Sequence, residues 1–298
     1  MAILETTALT RFYGNRRGVE SINLSVPEGS LYGFLGPNGA GKTTTIRVLL
    51  GLLRPTSGTA RIFGRDCWRE SRRIKAEVGY VPGDLRLYPW MEGRLALKIV
   101  EKVRRRSIMK EGNRLAEAFA LDLHVKVRKM SRGMRQKLGL ILAMAHRPQL
   151  LILDEPTSGL DPLVQDRLHA HLRHMADAGH SVFFSSHTLS EVEQLCDRVG
   201  IIRDGRLICD ESLEMLRTRT GHQVTIRWRH PQRMRDEKPP SCLSVEDRRA
   251  DPWSGILTGE INELVAWLAK REMDDLTIER PDLEAVFRRY YDESRASR

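Results

Sequence analysis

The chain has 298 residues, enough for one large domain or two ordinary ones. Hydrophobic residues make up 41% and charged residues 30%, so a core can form and wholesale disorder is excluded. Against 39 Asp and Glu stand 49 Lys and Arg, a formal charge of +10 that points to a nucleic acid, a phosphate ligand or a membrane surface.

The longest strictly apolar run, Leu140–Ala145, is far short of the roughly 20 residues that cross a bilayer. Residues 1–7 lack a basic start followed by an apolar stretch, so no secretory signal is expected. Cys67, Cys196, Cys209 and Cys242 form no close pair, which fits a reducing cytosol better than a disulfide scaffold or zinc site.

In chain order, residues 3–8 and 20–26 alternate like strands, with a turn around Tyr13-Gly14-Asn15. Leu31–Leu35 reads as a buried strand that runs into a glycine-rich loop, and 44–53 reads as a helix stopped near Pro55. Further buried strands are expected at 78–81, 150–153, 181–185 and 199–202. Residues 91–145 look helical, with breaks near Gly112 and at 127–131. Composition changes after Gly221, so domains are expected at 1–220 and 221–298. The second reads as a small α+β unit: strand 224–228, helix 263–273, strand 276–279, and a helix over 281–291. In that last helix Leu283, Val286, Phe287 and Tyr290 share a face.

Gly36-Pro37-Asn38-Gly39-Ala40-Gly41-Lys42-Thr43 matches the phosphate-loop pattern G-x-x-x-x-G-K-[ST], between an expected strand and helix. Such a loop curls its N–H groups around phosphates, and the following helix N-terminus adds positive potential. Lys42 supplies a charge to the phosphates and Thr43 a hydroxyl for Mg²⁺. Asp154 and Glu155 end an apolar strand, which suits Asp154 to hold Mg²⁺ through water and Glu155 to polarise the attacking water. Alone, such an Asp-Glu pair would read equally as a solvated, loop-facing pair; the phosphate loop is what favours the functional reading.

The order of motifs resembles the ATP-binding subunits of ABC transporters over residues 3–215. Pro156–Asp161 resembles the family's D-loop, His187 after Ser185-Ser186 its switch histidine, and 203–206 the turn after its last core strand. The resemblance implies a P-loop α/β ATPase domain with an inserted helical subdomain at about 85–145. It also implies ATP as ligand and Mg²⁺ as cofactor, and catalytic roles for Glu155, His187 and Lys42. In Arg11–Gly14, similar to the segment that stacks on adenine, Tyr13 is the candidate ring and Phe12 the alternative. Thr44 joins the phosphate-loop contacts.

Two motifs depart from the family pattern. The signature, usually Leu-Ser-Gly-Gly-Gln, is Met130-Ser131-Arg132-Gly133-Met134 here. Ser131 and Gly133 still suit a γ-phosphate arriving from a second subunit, and Ser131 also suits a plain helix cap. Where the family carries a Gln near the metal, Gly83 stands here, followed by Asp84; either Asp84 substitutes or water fills the gap.

Residues 91–137 hold fourteen basic residues and five acidic ones, nearly the whole surplus. This face reads as a solvated helix surface, a docking surface near anionic headgroups, or a nucleic-acid contact; no aromatic interleaving supports the last. The resemblance implies the ATPase subunit of an exporter of the ABC-2 type. It would work as a homodimer or with a related ATPase subunit, on a separate integral-membrane permease. It would be cytoplasmic, peripheral on the inner face of the cell membrane. The segment 281–287 resembles the tail of drug-exporter ATPases. The alternatives are a soluble ATPase acting on nucleic acid or ribosomes, and a degenerate subunit that hardly hydrolyses ATP.

Overall fold

The computed structural model describes residues 1–279, so the helix expected over 281–291 and the tail segment 281–287 lie outside the described residues. The chain divides into two compact units, Met1–Asp210 and a second beginning at Glu211. This boundary lies ten residues before the expected one. Asp210 belongs to the first unit because its carboxylate accepts from Tyr32 Oη at 3.0 Å and Arg198 Nε at 2.7 Å.

The first unit opens with β1 (Ala2–Tyr13) and β2 (Arg16–Pro27), an antiparallel hairpin longer than the alternation suggested. Register shifts in β1 hide its alternation from a strict period of two. Then come β3 (Leu31–Leu35), the glycine loop, and α1 (Lys42–Leu49). Next are β4 (Ser57–Ile62), β5 (Arg65–Asp66), α2 (Ser71–Glu77) and β6 (Val78–Val81). β4, β5 and α2 were not expected, because each buries only one or two apolar residues or none.

Residues 91–145 fold as α3 (Gly93–Arg104), α4 (Met109–Ala118) and α5 (Arg132–Met144), with a 3₁₀ turn at Val127–Lys129 before the last. The break expected at Gly112 lies instead at Arg105, which adopts φ 52°. Gly112 sits inside α4, where a Cβ would stand 2.7 Å from a Leu97 methyl, so this glycine serves close helix packing.

β7 (Leu150–Asp154), α6 (Pro162–Asp177), β8 (Ser181–Ser186), α7 (Leu189–Leu195), β9 (Arg198–Arg203) and β10 (Arg206–Ser212) follow. The central sheet has the order β10-β9-β3-β8-β7-β6, with β9, β3, β8, β7 and β6 parallel. Every residue of β3, β7 and β8 is buried, as expected for parallel strands covered on both faces. The glycine loop and the Asp154–Glu155 pair therefore emerge at the same carboxyl edge of this sheet.

The second unit holds α8 (Leu213–Thr220), β11 (His222–Trp228), α9 (Pro231–Met234), β12 (Leu243–Val245), β13 (Trp253–Leu257), α10 (Ile261–Leu268) and β14 (Met273–Glu279). Its sheet is antiparallel in the order β12-β13-β11-β14. The helix expected over 263–273 stops at Leu268, because Met273 and Leu276 pair with Trp228 and Ile226 on β11. Trp228 and Trp253 lie in its core, where they meet edge-on at 5.2 Å, and half-buried Trp267 packs against that core with Arg271 3.7 Å over its ring.

Candidate functional site

β3 ends at Leu35, and the chain turns through residues 36–41 before α1 starts at Lys42. Gly41 caps the helix at φ 111°, in the left-handed region. A Cβ there would stand 2.6 Å from a Val19 methyl and 2.9 Å from the Gly18 carbonyl oxygen, so both conformation and space require glycine.

The turn folds Lys42 back over the loop. Its Nζ donates to the carbonyls of Gly36 at 2.6 Å and Pro37 at 3.2 Å, and pairs with Glu155 Oε1 at 3.1 Å. Thr43 Oγ1 donates to Asp154 Oδ2 at 2.8 Å. Asp154 is buried, and its other oxygen accepts from Ser185 Oγ at 2.7 Å. Ser185 also accepts from the Glu155 N–H at 3.1 Å. Ser185 thus orders both acids, a role the sequence reading did not assign; its place in Ser185-Ser186-His187 at the end of a buried strand was the only signal.

Glu155 adopts φ 49°, a left-handed conformation that costs a non-glycine residue on the order of 1 kcal/mol. Its carboxylate lies between Lys42 and His187, whose Nδ1 stands 3.5 Å from Oε2. His187 is exposed. Burial, reinforced by the Asp154 carboxylate, pushes the nearby Tyr80 phenol up to about 12, so it stays protonated.

A cavity of about 450 Å³ opens over these groups. Pro37, Asn38, Gly39, Gly41, Lys42, Thr43, Thr44 and Glu155 line it, with Tyr13 on one side. Tyr13 is 41% exposed, and its hydroxyl stands 3.4 Å from Thr44 Oγ1. Gly36 and Ala40 are buried beneath the loop. Arg16, Arg17 and Gly18 also line the cavity and were missed, because nothing in their local sequence marks them. The donor set of hydroxyl and carboxylate oxygens at Thr43 and Asp154 fits a hard divalent cation such as Mg²⁺.

Ser131, Gly133 and Asp161 belong to a second cluster. Ser131 Oγ caps α5 by accepting from the Met134 N–H at 3.2 Å, and Asp161 caps α6 by accepting from the Val164 N–H at 3.1 Å. A Cβ at Gly133 would stand 2.7 Å from the Gly159 carbonyl oxygen, so the signature and the loop after Glu155 pack backbone to backbone. Ser131 and Asp161 are exposed. Gly83 lies beside the first cluster: a Cβ there would stand 3.6 Å from Asp154 Oδ2. Asp84 is engaged elsewhere, because its Oδ2 accepts from Arg86 Nη2 at 2.8 Å and its side chain is 75% exposed.

A lysine-bearing glycine loop at a helix N-terminus, a hydroxyl–carboxylate pair and a second acid define a nucleoside-triphosphatase site on a parallel α/β sheet. The sequence profile of the ABC transporter family matches residues 19–158. The chain is similar to the bacitracin transport ATP-binding protein BcrA of Bacillus licheniformis, 41% identical over 220 residues, 73% of this chain and 72% of that one. It is also similar to the daunorubicin/doxorubicin resistance ATP-binding protein DrrA of Streptomyces peucetius, 36% identical over 226 residues, 74% of this chain and 68% of that one. A solved ATP-binding subunit of an ABC transporter superposes with a TM-score of 0.68 at 29% identity, covering 73% of this chain and 92% of that one. The chain belongs to the ABC transporter family as one of its ATP-binding, ATP-hydrolysing subunits.

Proposed function

We propose that this chain powers an exporter by closing around ATP with a second cassette and reopening on hydrolysis. The observation that carries this reading is the division of the site. Phosphate, metal and base groups meet at one cavity, while Ser131 sits exposed and Gly133 half-buried in a separate cluster, fit to meet the γ-phosphate on another cassette. The names of the relatives, transport of bacitracin and resistance to daunorubicin and doxorubicin, support export over action on nucleic acid.

In this reading Tyr13 stacks on adenine, and the N–H groups of Asn38, Gly39 and residues 41–44 wrap the phosphates together with the Lys42 ammonium. Thr43 and Asp154 hold Mg²⁺, which when bound neutralises charge on the β- and γ-phosphates. Glu155 orients and polarises the attacking water, and Asp154, braced by Ser185, keeps Thr43 in register. His187 contacts the γ-phosphate and holds the far carboxylate oxygen of Glu155 in line. Gly83 brings no side chain to Asp154, so water completes that side of the site. The intact set of Lys42, Thr43, Asp154 and Glu155 supports turnover over a degenerate role.

No helix of the described residues is long and apolar enough to cross a membrane. The relatives' names as transport and resistance ATP-binding proteins support a separate integral-membrane permease as the transport path in this reading. A groove of about 380 Å³, lined by Leu50, Leu52, Ile99, Val103 and Leu142 with Arg104 at its side, gives such a permease a seat. On another face of α3, the exposed Arg94, Lys98 and Lys102 add positive charge, which supports a position near anionic headgroups. The test is twofold: Mg²⁺-dependent ATP hydrolysis by the purified chain, and its recovery from membranes with a multi-span protein. Absence of hydrolysis, or retention of RNA without a membrane partner, overturns the reading.

A further inference from the structure

The start of α5 breaks a local rule. Its first helical residue is Arg132, and its first turn holds no acid. A cation at a helix N-terminus opposes the macrodipole, typically by about 0.3–1 kcal/mol. A compensating partner holds it: Arg132 Nη2 donates to Ser158 Oγ at 2.7 Å. The stem of the side chain lies along Gly159, where a Cβ would stand 3.2 Å from Arg132 Cδ and 3.3 Å from its Cγ and Nε.

Two further links run the same way. Buried Gln136 donates through Nε2 to the Pro156 carbonyl at 2.9 Å. Gly133 packs against the Gly159 carbonyl. The loop so held starts at Glu155, whose carbonyl accepts from the Ser158 N–H at 3.3 Å. Arg132 therefore reaches the backbone of Glu155 through one residue, Ser158.

We propose that Arg132 is a positioning residue that locks the Pro156–Asp161 loop to the helix presenting Ser131. Displacement of that helix by a nucleotide on a second cassette then shifts Ser158, and with it the Glu155 backbone of the same chain. A glycine in place of Arg132 would leave the loop held by Gln136 and backbone packing, and would loosen the tie between the two sites. The inference rests on the hydrolytic reading above and adds a residue to it.

The test compares the full chain with Arg132→Gly, Arg132→Lys, Ser158→Ala and the Arg132→Gly/Ser158→Ala pair. Loss of one hydrogen bond to a charged group is expected to lower kcat about tenfold in each of Arg132→Gly and Ser158→Ala, with KM within about twofold. The pair is expected to be no worse than either single variant, because both remove one link. Arg132→Lys is expected to restore part of kcat. Hydrogen exchange without ATP is expected to speed up at the amides of 157–160 in both single variants.

Unchanged exchange at those amides, or unchanged kcat, overturns the proposal. A KM rise with kcat kept overturns it in favour of Arg132 as a direct phosphate ligand on the second cassette. Ser158→Ala removes one hydroxyl and keeps the test decisive if Arg132→Gly fails to fold. A wild-type chain that hydrolyses no ATP sinks the hydrolytic reading, while exchange still reports on the lock itself.

Discussion

Glu155→Gln separates the two tasks that this side chain performs. Its carboxylate lies 3.1 Å from Lys42 Nζ and 3.5 Å from His187 Nδ1. Glutamine keeps the shape and an acceptor oxygen but removes the charge and the basicity. Loss of a general base slows the chemical step by about 10²- to 10⁴-fold, equivalent to roughly 3–5 kcal/mol of barrier. Binding moves the other way, because a triphosphate and Glu155 compete for the same ammonium. At 3.1 Å and an effective dielectric near 20, the Coulomb attraction to Lys42 is about 5 kcal/mol before desolvation is counted. With the Glu155 side chain 28% exposed, the net worth falls to about 1 kcal/mol. ATP is therefore expected to bind about fivefold more tightly to the variant. Phosphate release at saturating Mg²⁺–ATP measures the first effect, and calorimetric ATP titration the second. Size exclusion with ATP is expected to show a trapped dimer. Turnover at the wild-type rate refutes the base assignment, and weaker ATP binding refutes the competition at Lys42.

Two further outcomes are expected. Gly41→Ala forces a Cβ into a left-handed conformation 2.6 Å from Val19, at a cost of about 1–3 kcal/mol. Its melting temperature is expected to fall by several degrees and ATP binding to be lost; an unchanged melting curve refutes the strain. Arg114 and Arg147 hold the Glu111 carboxyl at about 2, against an ordinary 4.5. A depressed carboxylate stabilises the fold above its unfolded value and loses that contribution as pH falls from about 4.5 toward 2. Since the two arginines are 52% and 71% exposed, the contribution is about 1 kcal/mol. Denaturant unfolding between pH 6 and pH 3 is expected to show a smaller loss in Glu111→Gln than in the wild type; equal losses refute it.

The elements legible in the sequence were those whose signal is local. Leu31–Leu35 matched its expected strand because a strand covered on both faces is a run of apolar residues, and 78–81, 150–153 and 181–185 were legible for the same reason. The phosphate loop was legible because backbone wrapping of phosphate needs glycine, lysine and a hydroxyl at set spacings. The misreadings arose where packing decides. Gly112 reads as a breaker, but Leu97 fills the space its missing side chain leaves. Residues 269–273 carry a helical pattern, but the chain turns there and Met273 enters β14 to pair with Trp228 on β11.

The sequence by itself determined the chemistry of the site: which residues carry the ammonium, the hydroxyl and the two carboxylates, and that they flank buried strands. The tertiary structure alone decided their relations. Only the parallel order of β3, β8 and β7 brings Thr43 to 2.8 Å from Asp154, 111 residues away, with Ser185 bracing both acids. Only the packing of α5 on the loop after Glu155 shows what Arg132 holds. Distances between residues far apart in the chain depend on sheet order and helix packing, and no local spacing encodes them.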